Sequence, residues 1–135
     1  MNYHDLIQLY FERGSAMQNL WNLYVVVLGA VLAFSSLRKQ PAPITTALVC
    51  LLFALFAYEN LGAMKDATAQ RFALLQSVKD FPGTEEAAQS RKLLEPTLTP
   101  ATYGSVKATQ MTSDLLGIAA LIAMEFRRRR LTTVG

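Results

Sequence analysis

Two carboxylates and two amides interrupt the edges of the most apolar stretches of this chain: Asn22, Glu59, Asn60 and Asp114. Carboxylate and amide oxygens together suit a hard cation, and a pair of buried carboxylates can instead share a proton. Carboxylates buried at membrane depth are costly, so they mark a functional site by default. The plainer reading makes all four solvated residues at helix ends, and that reading is the preferred one. A second cluster, Arg127, Arg128, Arg129 and Arg130, offers four adjacent cations to anionic lipid headgroups, although its first reading is an anchor at the end of a span.

Other chemistry finds little support. His4 has only Asp5 beside it, and Ser35, Ser36 and Cys50 have no histidine or acid at a spacing that activates a nucleophile. Gly-rich phosphate loops, CxxC pairs, haem-attachment motifs and HExxH are all missing from the sequence. The chain is therefore not expected to be an enzyme or to carry a metal or cofactor. One cysteine leaves no disulfide framework.

These residues must be positioned by apolar helices. With 52% hydrophobic and 17% charged residues, the chain of 135 is one domain in length and too apolar for disorder. The apolar residues pool into Leu20 to Leu37, Ile44 to Tyr58 and Leu115 to Met124, none of which contains a charge. A span needs roughly 20 mostly apolar residues. The expectation is an all-α membrane protein, a single helical domain over 1–135 with spans at about 19–37, 44–63 and 108–127. The third is the weakest, since it must take in Asp114 and let the arginines snorkel. A signal peptide competes for the first block, but residues 1 to 18 hold Asp5 and Glu12 against Arg13, unlike the basic leader such a segment needs.

Outside the spans, Tyr3, Leu6, Ile7, Tyr10, Met17 and Leu20 share one face of an N-terminal amphipathic helix. That face has two uses, lying in the membrane interface or packing on a neighbour as the helix runs into span one. Asn2 and Asp5 are spaced as a capping pair. Span two has no stop signal before Pro82-Gly83, so an exposed helical stalk is predicted to about Asp80 within an extramembrane segment of about 64–107. Thr84 is predicted to cap a short helix with Glu85 and Glu86 in its first turn, and Thr99-Pro100 to start the helix leading into span three. Gly29 with Ala33, and Ala119 with Ala123 after Gly117, are predicted sites of close helix approach, either within the chain or between copies of it.

Three spans put Arg38, Lys39 and the four arginines on one side in two short segments. On the other side Arg13, Lys65, Arg71, Lys79, Arg91, Lys92 and Lys107 are dispersed among acids. Basic density near span ends sets orientation, so the C-terminus is expected in the cytoplasm, with a bacterial inner membrane as the expected location. Counted from that side, Asn22, Glu59 and Asp114 fall at similar depth. The function classes left are a structural or accessory subunit of a membrane assembly and, as the alternative, a pore built by a homo-oligomer. Partners expected are membrane lipids and either copies of the chain or a larger membrane complex, with no nucleic acid.

Overall fold

The computed structural model describes residues 1–83 and 85–135, with residues 85–87 described by backbone alone. The predicted cap at Thr84 and the acidic turn at Glu85 and Glu86 fall outside the described side chains. The chain is all-helical: α1 spans Tyr3–Leu37, α2 Pro43–Lys79, α3 Glu85–Leu94 and α4 Tyr103–Val134, with a single 3-10 turn, Glu95–Thr97, after α3.

Each long helix starts where its sequence supplies a start. Asn2 Oδ1 accepts the Asp5 N–H at 2.9 Å, and Asp5 Oδ2 accepts the Asn2 N–H at 3.1 Å, which closes the capping box at the head of α1. The chain leaves α1 through an extended Arg38 and enters α2 at Pro43, whose ring is preset for the first helical position. At the standard rise α1 and α2 are ~52 and ~55 Å long. The start of α4 lies beyond the predicted Thr99-Pro100. Thr102 has the extended backbone a cap requires, and its hydroxyl accepts the Ser105 N–H at 3.3 Å.

α1, α2 and α4 pack lengthwise through seams with a repeat close to seven residues. Tyr10, Met17 and Tyr24 are buried on α1, and Phe53, Ala57, Asn60, Met64 and Ala67 on α2. Spacings of three, four and seven keep one stripe facing the partner helix over many turns. The N-terminal face of α1 is used for packing: Leu6 and Tyr10 join Leu75 and Val78 of α2 and Leu98 of the strap before α4. Met17, Met64, Ala67 and Val106 form the next layer, and Tyr24, Phe53 and Ala57 with Ile118 the one beyond it.

Two helices, α1 and α2, are long and apolar enough to cross a membrane, yet only 11% and 22% of their most apolar windows are buried. The core helix of a water-soluble bundle hides most of such a stretch. Here Val25, Val26, Phe34, Leu48, Leu51, Leu52, Leu115 and Leu116 point outward from all three long helices.

Of the predicted small-residue contacts, one is a close approach. Gly117 is buried on α4, and a methyl group added there would lie 2.8 Å from Leu28 Cδ1 on α1. Gly29 meets nothing within 4 Å, and Ala33, Ala119 and Ala123 are exposed, so those pairs lie off the seams.

Candidate functional site

The buried polar groups that bond from helix to helix fall into two layers at either end of the outward apolar zone. In the layer toward the N-terminus, Asn60 on α2 is 4% exposed and Gln110 on α4 is fully buried. Asn60 Nδ2 donates to Gln110 Oε1 at 3.3 Å, and Gln110 Nε2 donates to the Ala57 carbonyl at 2.6 Å. One turn further along α4, the Tyr24 hydroxyl donates to Asp114 Oδ1 at 2.6 Å, joining α1 to α4. A buried polar group left without a partner costs about 1–3 kcal/mol, so these bonds favour one register of the three helices, although Asn60 Oδ1 itself has no partner among the described residues.

The structure thus separates the four residues that share a depth in the sequence. Asn60 and Asp114 turn inward, to different partners. Glu59 points away from the bundle, one residue and ~100° round the helix from Asn60. Asn22 is exposed and accepts from Gln18 of its own helix, at 3.1 Å. Among the described residues, no group of three or more His, Cys, Asp and Glu side chains is placed to hold a metal ion.

The second layer lies at the end where the α1–α2 turn meets the C-terminal part of α4. Glu125 and Arg128, with side chains 8% exposed each, form an ion pair at 2.8 Å. Glu125 Oε2 also accepts the Thr46 hydroxyl of α2 at 3.0 Å, while Arg128 Nη1 donates to the Ser35 carbonyl of α1 at 2.7 Å. Arg38 closes the layer from the turn, donating to Thr46 Oγ1 at 3.4 Å and to the Ala42 carbonyl at 3.3 Å. Within the arginine run, Arg128 is therefore turned inward, and Arg127, Arg129 and Arg130 are exposed.

Gln110, Thr46 and Glu125 were not among the candidate residues read from the sequence, and Arg128 was read only as one of four adjacent cations facing lipid headgroups. The signal was present in phase: Gln110 follows Val106 by four positions, Glu125 follows Leu121 by four, and Arg128 follows Glu125 by three, all along the buried stripe of α4. A charge in phase with a core stripe belongs to the core, whatever its neighbours in sequence.

At the opposite end, α3 and the strap close over the tips of α1 and α2. Arg91 donates to the carbonyls of Phe81 at 2.6 Å, Lys79 at 2.9 Å and Val78 at 3.2 Å, where the last carbonyls of α2 lack helical partners. Its Nε also pairs with Glu95 at 2.9 Å, and its guanidinium lies over the Tyr3 ring at 5.3 Å. Burial in this cap, followed by the Glu95 carboxylate, pushes the Tyr3 phenol above its ordinary range. Below it, the Arg71 guanidinium stacks over Tyr10 at 4.9 Å in the space left by Gly14.

Both layers and the cap bind helix to helix. No protein-family model, no curated protein and no solved structure matches the chain.

Proposed function

We propose that this chain is a three-span membrane protein acting as a structural or accessory subunit of a membrane assembly, with α4 as the third span and the C-terminus in the cytoplasm. One observation carries the reading: buried polar side chains serve to join helices, while the outward surface of the apolar zone is hydrocarbon. In lipid, such interhelical hydrogen bonds and charge pairs hold helices whose apolar faces gain little from leaving a solvent that is itself apolar. The inward bonding of Asp114 and Glu125 supports α4 as a span, because its two carboxylates face protein instead of acyl chains. Arg38, Lys39 and the terminal arginines gather at one end of the bundle, which supports the cytoplasmic placement of that end.

A pore needs polar side chains along a whole outward or central face. In this bundle they occupy two layers, and the outward residues between them include Val25, Val26, Leu51, Leu52 and Leu55. The subunit reading is tested by washing membranes at alkaline pH and weighing the intact detergent-solubilised particle with any chains that accompany it. Retention in the membrane and a particle heavier than one chain are expected. Release into the wash, or a lone chain that conducts ions in proteoliposomes, would overturn the reading.

A further inference from the structure

Between the end of α1 and the last turns of α4 lies an open cleft of about 440 Å³, lined by Arg38, Lys39, Arg127 and Arg128 together with Met124 and Leu131. No carboxylate is among its lining residues, and the nearby acid, Glu125, sits behind Arg128 and is bonded to it. Arg128 is thereby neutralised in place and forms a fixed floor, anchored to the Ser35 carbonyl. The charges of Arg38, Lys39 and Arg127 are left without a paired acid among the described residues, and they come from the α1–α2 turn and from α4, 89 positions apart at Arg38 and Arg127. Like charges this close repel one another, so a polyvalent anion between them relieves a cost that the empty cleft bears.

We propose that this cleft is a binding site for a phosphate group carrying more than one negative charge, borne by a lipid headgroup or free in solution. Guanidinium groups match phosphate oxygens with paired donors, and Arg38, Lys39 and Arg127 all line the cleft, Arg38 while also donating to Thr46 Oγ1 and the Ala42 carbonyl. Met124 lies one turn toward the apolar zone from Arg127 and extends the cleft toward the outward surface of α4, where an acyl chain attached to the phosphate would run. Arg130 has no part in the cleft. The site therefore distinguishes among the arginines of the run, which a diffuse basic tail does not. The lipid-borne form rests on the three-span reading given above; the free-anion form stands without it.

Two probes and three variants test the site in the full-length protein. Pyrophosphate is titrated calorimetrically onto the purified chain in detergent. Separately, thermal stability is compared in nanodiscs of phosphatidylcholine alone and of equal parts phosphatidylcholine and phosphatidic acid. The triple variant Arg38→Gln, Lys39→Gln, Arg127→Gln should lose on the order of tenfold or more in affinity, and Arg130→Gln should bind as the parent does. Arg127→Gln alone, at an exposed residue without a bonded partner, should weaken binding about fivefold and serves if the triple variant fails to fold. Stabilisation by phosphatidic acid that the cleft variants abolish identifies a lipid-borne phosphate. Pyrophosphate binding with the same pattern identifies a free one, and holds even if the chain proves not to be embedded in a membrane. If neither probe binds, or if Arg130→Gln weakens binding as much as Arg127→Gln, the proposal is wrong.

Discussion

Arg128 reaches across the bundle to the Ser35 carbonyl at 2.7 Å while holding Glu125, one turn back on its own helix, at 2.8 Å. A single guanidinium thus joins α4 to α1, and through Glu125 to Thr46 on α2. Removing one member of a buried pair leaves the other charged and unsatisfied. Of the four arginines in the run, Arg128→Gln should therefore lower the melting temperature most, with Arg127→Gln, Arg129→Gln and Arg130→Gln close to the parent. A flat profile across the four would contradict the inward placement of Arg128.

Gly117 meets Leu28 where α4 crosses α1. An alanine there displaces only the flexible end of a leucine, but a full side chain overfills the seam. Gly117→Leu should cost about 1–3 kcal/mol. Gly29→Leu, with open space around it, should cost nothing of that kind. Equilibrium unfolding of the two variants decides whether the close approach is real.

The Tyr24–Asp114 bond makes a prediction about coupling. Tyr24→Phe and Asp114→Ala should be non-additive, because each removes the same 2.6 Å contact. Glu59→Gln combined with Asp114→Asn should be additive, since Glu59 faces outward. Coupling between Glu59 and Asp114 in a double-mutant cycle would restore the shared-ion idea that the fold leaves without support.

Alkaline pH should loosen the cap over α1 and α2. The folded phenol of Tyr3 has its pKa raised, so the native state holds that proton more tightly than the unfolded chain. Its contribution is present in full below the unfolded pKa of tyrosine and is lost as pH rises through the folded value. In Tyr3→Phe that part of the pH dependence should vanish, as read by hydrogen exchange near Phe81. Arg91→Gln should open the same region at neutral pH, with a loss of about 2 kcal/mol from its charge-assisted bonds to carbonyls.

The far half of α2 is a further test. Ala69 is exposed in the middle of an unbroken helix, so Ala69→Pro changes no packed side chain there. It should lower stability by roughly 3 kcal/mol through the lost backbone bond and ring clash. Unchanged helicity and melting would mean that this stretch is not helical.

Helices were legible because their signals are local. Asn2 and Asp5 mark one start, Pro43 another, and Pro82-Gly83 a stop. Side-chain partnership was not, since depth along a helix says nothing about direction around it. Glu59 and Asn60 are adjacent in sequence and face opposite fates, and only the seven-residue stripe through Phe53, Ala57, Asn60 and Met64 tells them apart. Arg128 was hidden for a related reason: a run of like residues reads as one unit, while the helix sends each member in its own direction. The Gly29 and Ala33 pair is not used within the chain, because small residues permit close approach without requiring it.

The route of Arg128 to Ser35 and Thr46 also orders events during synthesis. Both acceptors lie next to the five-residue turn between α1 and α2, and they leave the ribosome 93 and 82 residues before Arg128 does. When α4 emerges, the hairpin it must join has been made, and its oxygens stand as a dock for the last charged turn. A truncation before Glu125 would strand the Thr46 hydroxyl without its carboxylate, so this layer closes only once the charged turn of α4 has been made.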